Sequence, residues 1–235
     1  MNGGESYSLL WLSGQMQSYG CESHFSQRGT LAFPTKSAVY GMILAGMGKT
    51  GKQDALLSEM ALWNMTVRCY SEGQRLLDYC TVGCGYPHDD SWESMFIPRK
   101  PDGSYPVAAG GMKGGQKILE KEYLTGAVFG VILSHPMKYG KRISDAFERP
   151  VFPQFLGRKC CIASDYIYRG LYSTKKRAES AADKVGISAG MQVKFKVEDN
   201  TADYENSRTV MSIRDVPVEF GIHKKYSYRT VSIYC

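Results

Sequence analysis

The segment Ser26–Gly48 reads SQRGTLAFPTKSAVYGMILAGMG and passes from a basic, hydroxyl-rich loop into an apolar run. Thr35 follows Pro34 and is a residue type that is preferred at a helix N-cap. Beyond it, apolar and small residues repeat at helical spacing: Ala38, Val39, Met42, Ile43 and Gly46. Gly48 suits the end of a helix. Because the first backbone N–H groups of a helix attract anions, the segment predicts a buried helix whose start faces a negatively charged ligand.

The composition is that of a soluble globular protein. The chain has 235 residues, of which 43% are hydrophobic and 22% charged. Its N-terminus lacks the basic start of a signal peptide, and no apolar run approaches the roughly 20 residues that a membrane helix needs. The seven cysteines are scattered and odd in number, which favours reduced thiols over a disulfide framework. We therefore expect a cytoplasmic protein with no membrane partner.

The positive charge is unevenly distributed. The formal net charge is +6, and residues 138–177 hold ten Lys or Arg against three acidic residues. A basic stripe of this kind suits a polyanion such as nucleic acid. A solvated basic surface fits the charge pattern equally well.

The order of predicted elements indicates an α+β domain on an antiparallel sheet. Strands are predicted at Tyr7–Ser13, Met65–Tyr70, Leu76–Val82, Tyr123–Leu133, Gln192–Glu198, Arg208–Ile213 and Thr230–Tyr234. Further helices are predicted at Asp54–Trp63, Lys141–Phe147 and Ser173–Lys184. Ser-Glu-Gly at residues 71–73 predicts a hairpin turn between the second and third strands. The glycine- and proline-rich segment Gly83–Gln116 has little periodicity and predicts a long functional excursion.

Two motifs point to chemistries that their spacing does not support. Gly48-Lys49-Thr50 resembles the end of a phosphate-binding P-loop, but Ile43 stands where that motif needs glycine, and the segment closes a helix. Cys80, Cys84 and His88, followed by Asp89, lack the closely spaced partner pair of a structural zinc site. We expect neither nucleotide hydrolysis nor a metal cofactor.

Four histidines could serve in acid–base chemistry: His24, His88, His135 and His223. None lies in a recognisable nucleophile motif. His135 precedes a proline at a strand end and is interpreted as a turn residue. His223-Lys224 could support RNA cleavage, which needs a base, an acid and a cation, but a solvated basic turn is the favoured interpretation.

Five segments together resemble the Cas-five (CasD) family of CRISPR Cascade complexes, most closely its type I-E branch. They occur in the family's order within the first two thirds of the chain: LLWLSGQMQSYG (9–20), FPTKSAVYG (33–41), LLDYCTVG (76–83), EYLTGAVFGVIL (122–133) and FPQFLGRKC (152–160). The last third resembles the family only loosely.

The resemblance implies a ferredoxin-like (RRM-related, RAMP-type) antiparallel sheet domain with a long inserted thumb. The body would comprise residues 1–82 and 122–235, and the thumb residues 83–121. Such a subunit binds crRNA and caps its 5′ handle. It docks against the Cascade backbone subunit and large subunit, and meets target DNA indirectly through the guide duplex. No cofactor is implied.

The residues and the resemblance together select a set of RNA-binding candidates. These are Gln15, Gln17, Ser18 and Tyr19 after the first strand, Arg28, the helix-start residues Thr35, Lys36 and Ser37, and the basic loop Gly157, Arg158 and Lys159. Hydroxyls, cations and an aromatic ring suit phosphates and splayed bases of a single strand. Thr35 and Ser37 could instead be helix caps, and Tyr19 could be packed in the core.

Within the predicted thumb, Trp92 and Phe96 are large apolar residues in a segment poor in core, which favours contact with a partner or a base. Lys113 and Lys117 are further candidate contacts in the thumb. The thumb sequence does not match the family closely, and Cys160-Cys161-Ile162 replaces the serine and proline of the family's basic loop.

The resemblance also bears on catalysis. Relatives that cleave repeat RNA use an adjacent Lys-His pair near the thumb base with a tyrosine. Tyr40 could supply the tyrosine, but the pair is missing, so a non-catalytic subunit is expected. The alternatives are a metal-independent endoribonuclease that uses Tyr40, His24 or His223, and a generic RRM-like protein, which would need an aromatic strand motif that is absent.

Overall fold

The computed structural model describes residues 4–20, 23–24, 26–82, 100–104, 117–199 and 202–235. The strands are β1 Glu5–Ser13, β2 Met16–Gln17, β3 Ser23–His24, β4 Gln27–Arg28, β5 Met65–Ser71, β6 Gln74–Val82, β7 Lys117–Thr125, β8 Val128–Pro136, β9 Tyr168–Tyr172, β10 Phe195–Asp199, β11 Thr209–Glu219 and β12 Lys225–Tyr234. The helices are α1 Lys36–Gly46, α2 Asp54–Ala61, α3 Gly140–Glu148 and α4 Lys175–Ser188. None of these helices is long and apolar enough to cross a bilayer.

A seven-stranded antiparallel sheet forms the centre of the molecule, in the order β11-β12-β10-β5-β8-β1-β9. β1 lies between β8 and β9, with Leu10 opposite Val131 and Leu9 opposite Gly170. Its nearly continuous apolar sequence is therefore covered on both faces, as the sequence predicts. The α+β class is confirmed.

Helices cover the two faces of this sheet. Because side chains alternate along a strand, Leu10 and Leu12 point into the larger core cluster, which includes residues of α1, α2 and α3. Leu9 and Trp11 point the other way, against Ala178 of α4. The molecule thus has three layers, and α1 and α4 lie on opposite sides of the sheet.

The predicted hairpin at residues 71–73 is wrong. β5 pairs with β8 and β10 in the large sheet, whereas β6 leaves that sheet and pairs with β7 along its whole length. The single strand predicted over Tyr123–Leu133 is likewise two strands, which turn at Gly126 (φ 68°). Glycine is required at position 73, between β5 and β6, because a Cβ there would lie 2.5 Å from the Thr125 carbonyl oxygen. Local sequence suggests a turn at both sites, but distant partners decide the pairing.

The other predicted elements are present with shifted ends. Helix α4 runs to Ser188, β11 continues to Glu219, and β9 was not predicted. Residues 117–121 of the predicted thumb belong to β7 and pair with residues 78–82. Apart from residues 100–104, the remainder of the predicted thumb lies outside the described residues.

His135 is a core residue and not the turn residue that the sequence suggests. It is 1% exposed at the end of β8, with Ser8 Oγ 2.8 Å from Nε2 and Ser6 Oγ 3.2 Å from Nδ1. Burial lowers the pKa of its imidazole, against an opposing attraction to Glu5. The unfolded chain therefore binds this proton more readily than the folded chain does.

We expect the free energy of unfolding to fall as the pH drops below about 6.5, the ordinary histidine pKa, because the lowered pKa of His135 favours proton binding by the unfolded chain. Urea unfolding between pH 7.5 and pH 5.5 measures the slope. His135→Gln should flatten this slope. An unchanged slope in His135→Gln would contradict the assignment.

Candidate nucleic-acid interface

An open groove of about 610 Å³ runs beside the start of α1. Its walls are the start of α1, the loop of residues 152–158, the α1–α2 loop and the end of the β11–β12 hairpin. Six of the predicted RNA-binding residues line it: Ser18, Arg28, Thr35, Ser37, Gly157 and Arg158. We call it the α1 groove. The fold thus brings together residues that are up to 140 positions apart.

All charged residues that line the α1 groove, among those the structure describes, are basic: Arg28, Lys49, Arg158 and Lys224. Four aromatic side chains line it as well: Phe152, Phe155, Phe220 and Tyr226. Cations suit phosphates, and rings suit the faces of bases, so this lining has the chemistry of a single-strand binding groove. The sequence predicts none of these four aromatic residues as a ligand, nor Lys49, and it favours a solvated basic turn for Lys224. In the last third of the chain, His223-Lys224 is the one pair that the sequence singles out as a candidate for acting on RNA.

The helix start itself is already occupied by an anion of the chain. The backbone N–H of Lys36 donates to Asp215 Oδ2 at 2.8 Å, and the backbone N–H of Ala38 donates to Thr35 Oγ1 at 3.2 Å. Thr35 is therefore an N-cap, with Ser37 Oγ 3.1 Å away from its hydroxyl. The predicted anion at this helix start is Asp215. Half-buried Ser37 remains at the groove wall.

The Lys36 side chain is structural, which corrects its prediction as a phosphate ligand. It is 1% exposed, and its Nζ lies 2.5 Å from Asp199 Oδ2 and donates to the Trp63 carbonyl oxygen at 2.7 Å. Desolvation by burial lowers the pKa of its ammonium, although Asp199 opposes this. Arg229 donates to Asp215 at 2.7 Å and lies 3.2 Å from Asp199. Lys36, Asp199, Arg229 and Asp215 thus form a buried four-residue ionic network.

Gln17 and Tyr19 are also buried and do not face the groove. Gln17 Nε2 donates to the Ala127 carbonyl oxygen at 2.6 Å, and the Tyr19 hydroxyl donates to Gln17 Oε1 at 2.5 Å. Their prediction as base ligands is corrected, because both side chains fix the turn after β1. Ser18 is 4% exposed, and its hydroxyl donates to the Glu122 carbonyl oxygen. Gln15 is exposed but does not line the groove.

Arg158 combines an internal role with a place in the groove wall. Its guanidinium donates to the carbonyl oxygens of Glu122 at 2.9 Å and Arg28 at 2.7 Å, and it lies 4.6 Å from the Tyr123 ring centroid. It therefore fixes the strand that carries Arg28, whose own side chain is exposed. Lys159 is exposed next to the groove but does not line it.

Glycine is required at position 157 by the backbone conformation and by the packing against Ser18. Its φ is 100°, and a Cβ there would lie 1.7 Å from the Ser18 carbonyl oxygen, so its close backbone approach is to Ser18 and does not need RNA.

We expect Gly157→Ala to lower the free energy of unfolding by about 1–3 kcal/mol. Thermal unfolding measures this effect. In the same groove, Gly41→Ala should stabilise α1 by about 0.5–1 kcal/mol, since no atom lies within 4 Å of its Cβ. Equal effects of the two substitutions would contradict the account.

The basic stripe of residues 138–177 does not form one surface. Lys138 pairs with Glu59 at 3.0 Å on the α1 side of the sheet, whereas Lys175, at the start of α4 on the opposite side, pairs with Glu198 at 2.7 Å. Of the stripe's cations, only Arg158 lines the α1 groove. The positive charge that lines the α1 groove therefore comes from several separate segments of the chain.

The proposed catalytic tyrosine is buried. The Tyr40 hydroxyl donates to the Met60 carbonyl oxygen at 2.7 Å, and burial raises the pKa of its phenol. His223 is exposed near the groove, whereas no side-chain position is described for His24.

Several predicted residues lie outside the described part of the chain: Cys84, His88, Asp89, Trp92, Phe96 and Lys113. Lys117 begins β7, and its side-chain position is not described.

Comparisons with known proteins agree with these observations. A family model described as CRISPR-associated protein (Cas_Cas5) matches residues 8–232. A chain of a solved "CRISPR RNA-guided surveillance complex" is 25% identical with a TM-score of 0.69; the match covers 97% of this chain and 88% of the other. A second structure, "Crystal structure of Cas protein", is 20% identical with a TM-score of 0.63 and coverages of 97% and 93%. The comparison with curated proteins found no match. Because the family model spans nearly the whole chain, the protein belongs to the CRISPR-associated protein (Cas_Cas5) family.

Proposed function

We propose that this chain is a non-catalytic, type I-E-like subunit of a CRISPR Cascade surveillance complex that binds and caps the 5′ handle of the crRNA. The observation that carries the proposal is the α1 groove, whose described charged lining is wholly basic and is interleaved with aromatic rings. The structural likeness to a chain of an RNA-guided surveillance complex supports the same role. The backbone and large subunits of the complex are the proposed protein partners, and target DNA is met through the guide duplex.

The dimensions of the groove favour a single strand. A cavity of about 610 Å³ is in the range that holds one drug-sized ligand, and a nucleotide is of that size. Single-stranded RNA exposes both phosphates and unstacked bases, which are the groups that cations and aromatic rings bind. A groove of this kind binds the strand largely through phosphates, so its affinity falls as salt rises.

The strand order supports a ferredoxin-like (RAMP-type) body. Four neighbouring strands of the large sheet, β9-β1-β8-β5, are all antiparallel. Along the chain, α1 and α2 separate β1 from β5, and α3 separates β8 from β9. This is the β-α-β-β-α-β arrangement of ferredoxin-like domains. β10, β11 and β12 extend the sheet, and the predicted thumb would project from the β6–β7 ribbon.

The non-catalytic role rests on the surroundings of Tyr40. A phenol that donates to a backbone carbonyl within the core and has a raised pKa does not meet a scissile phosphate. Among the described side chains, His223 is an exposed histidine near the groove that an endoribonuclease could use. Cleavage of RNA is therefore a distinct outcome that an experiment can detect.

Co-expression tests this proposal. The tagged full chain would be co-expressed with Cascade backbone and large subunits and a repeat–spacer array, crosslinked by ultraviolet light, and its bound RNA sequenced. We expect crosslinks in repeat-derived sequence on the 5′ side of the spacer. Crosslinks confined to the spacer, or no bound RNA, would contradict the capping role. Cleavage of repeat RNA by the purified chain without metal, lost in His223→Gln, would show an endoribonuclease instead.

A further inference from the structure

We propose that the end of the β11–β12 hairpin, residues 220–226, is a second RNA-binding wall of the α1 groove, in which Lys224 binds a phosphate and Tyr226 stacks on a base. This inference rests on the proposed function and adds to it. It assigns a role to residues in the last third of the chain. It also names the ligand class for this wall, a single strand with both phosphates and bases.

The position of the hairpin end carries the inference. Phe220, Gly221, Lys224 and Tyr226 all line the groove, together with Arg28 and Arg158. The backbone N–H of Phe220 donates to the Lys52 carbonyl oxygen at 3.1 Å, which fixes the hairpin end to the α1–α2 loop. The hairpin is thus part of the groove and not a turn in open solvent.

The charges at the hairpin end distinguish Lys224 from its neighbour. Lys225 pairs with Glu219 at 2.7 Å, and Lys52 lies 3.3 Å from the same carboxylate group. Among the described residues, no carboxylate lies within ion-pair distance of Lys224, which is exposed at the groove. A cation with no carboxylate partner among the described residues, in a groove whose described charged lining is all basic, suits a phosphate.

Tyr226 and Phe220 supply the base-stacking surface of this wall. Tyr226 and Phe220 are half-buried, so each leaves part of its ring accessible from the groove. A ring held in this way stacks on a base with little loss of conformational freedom, and stacking tolerates any base. Tyr228, two residues along β12, is 64% exposed, lies 5.8 Å from the Arg214 guanidinium and does not line the groove. It is therefore a matched control.

The buried ionic network of Lys36, Asp199, Arg229 and Asp215 fixes the position of the hairpin relative to the start of α1. Asp215 of β11 accepts from Arg229 of β12 at 2.7 Å and also from the backbone N–H of Lys36, at the start of α1. One carboxylate therefore joins the two strands of the hairpin to the start of α1, which also lines the groove. Asp215 and Arg229 are positioning residues, since neither lines the groove.

Fluorescence anisotropy with a labelled single-stranded octauridine RNA and its abasic counterpart tests the inference. Lys224→Ala should weaken binding about 10-fold and reduce the slope of log affinity against log salt by about 0.7. Tyr226→Ala should weaken octauridine binding roughly 5-fold or more without a comparable effect on abasic RNA, whereas Tyr226→Phe should retain binding. Tyr228→Ala and Lys176→Ala, on α4, should bind as the unmodified chain does. All five variants should remain folded at the assay temperature; the unfolding midpoint should fall only in Tyr226→Ala, which removes a half-buried ring.

The outcomes separate the two proposals. If Lys224→Ala and Tyr226→Ala bind normally while Arg28→Ala binds weakly, the second wall is refuted and the groove's function stands. If the unmodified chain does not bind octauridine, or if none of these groove variants weakens binding, both proposals are overturned.

Discussion

Lys36→Ala is expected to lower the free energy of unfolding by about 3–5 kcal/mol, the usual cost of removing one partner from a buried ion pair. Lys36 and Asp199 have side chains that are each 1% exposed, with their charged atoms 2.5 Å apart. Without the ammonium, the buried Asp199 carboxylate would lose its nearest cation and would keep, among the described residues, Arg229 and the Met65 backbone N–H as partners. The Trp63 carbonyl oxygen would also lose a hydrogen bond. Urea unfolding at pH 7.5 measures the effect.

Lys49→Ala is the matched control, since Lys49 is exposed just after the end of α1. Its effect on stability should stay within about 0.5 kcal/mol. The comparison separates two roles that the sequence leaves open for Lys36. A phosphate ligand would lose RNA affinity and keep its stability, whereas a core cation loses stability first. Normal stability in Lys36→Ala would refute the buried network.

The double substitution Arg28→Ala/Lys49→Ala is expected to weaken single-stranded RNA binding by roughly 10-fold to 100-fold. Both cations line the groove and are exposed, so their removal takes away phosphate contacts without disturbing the core. The slope of log affinity against log salt should fall by about 1.4, since each phosphate neutralised on a single strand contributes about 0.7. Filter binding at 50–300 mM salt measures both quantities.

Lys176→Ala/Lys184→Ala provides the control for this prediction. Both lysines are exposed on α4, which lies on the opposite face of the sheet, so the same charge is removed far from the groove. This variant should retain the affinity and the salt slope. Equal losses in both double variants would mean that only the net charge of the chain matters.

Local signals in the sequence predict the local structure well. Pro34, Thr35 and the apolar spacing after them are enough to predict α1, because capping and helical periodicity act over a few residues. The same holds for β1, whose apolar run indicates a central strand. The corner between β5 and β6 was predicted wrongly, since a hairpin and two diverging strands share the same turn residues. Their true partners, β8 and β7, lie far along the chain.

The candidate site likewise combines residues that local sequence identifies with residues that only the fold brings together. A lysine at the first position of a helix beside a hydroxyl-rich loop suggests a phosphate ligand. That interpretation fails for Lys36 because Asp215, 179 residues away, occupies the helix start and Asp199 pairs with the ammonium. Arg28 and Arg158 are predicted as phosphate ligands from the basic segments that carry them, and both line the groove. Lys224 and Tyr226 could not be placed, since only the path of β11 and β12 across the sheet brings them to the groove.

The most direct test of the central claim, that the α1 groove holds the guide RNA, is to map which peptides of the full chain carry nucleotide adducts after ultraviolet crosslinking to repeat-derived RNA. Mass spectrometry of the digested complex identifies them. The account predicts adducts in the groove segments, residues 26–30, 49–53, 152–158 and 220–226. Adducts confined to α4, residues 175–188, on the other side of the sheet, would contradict it.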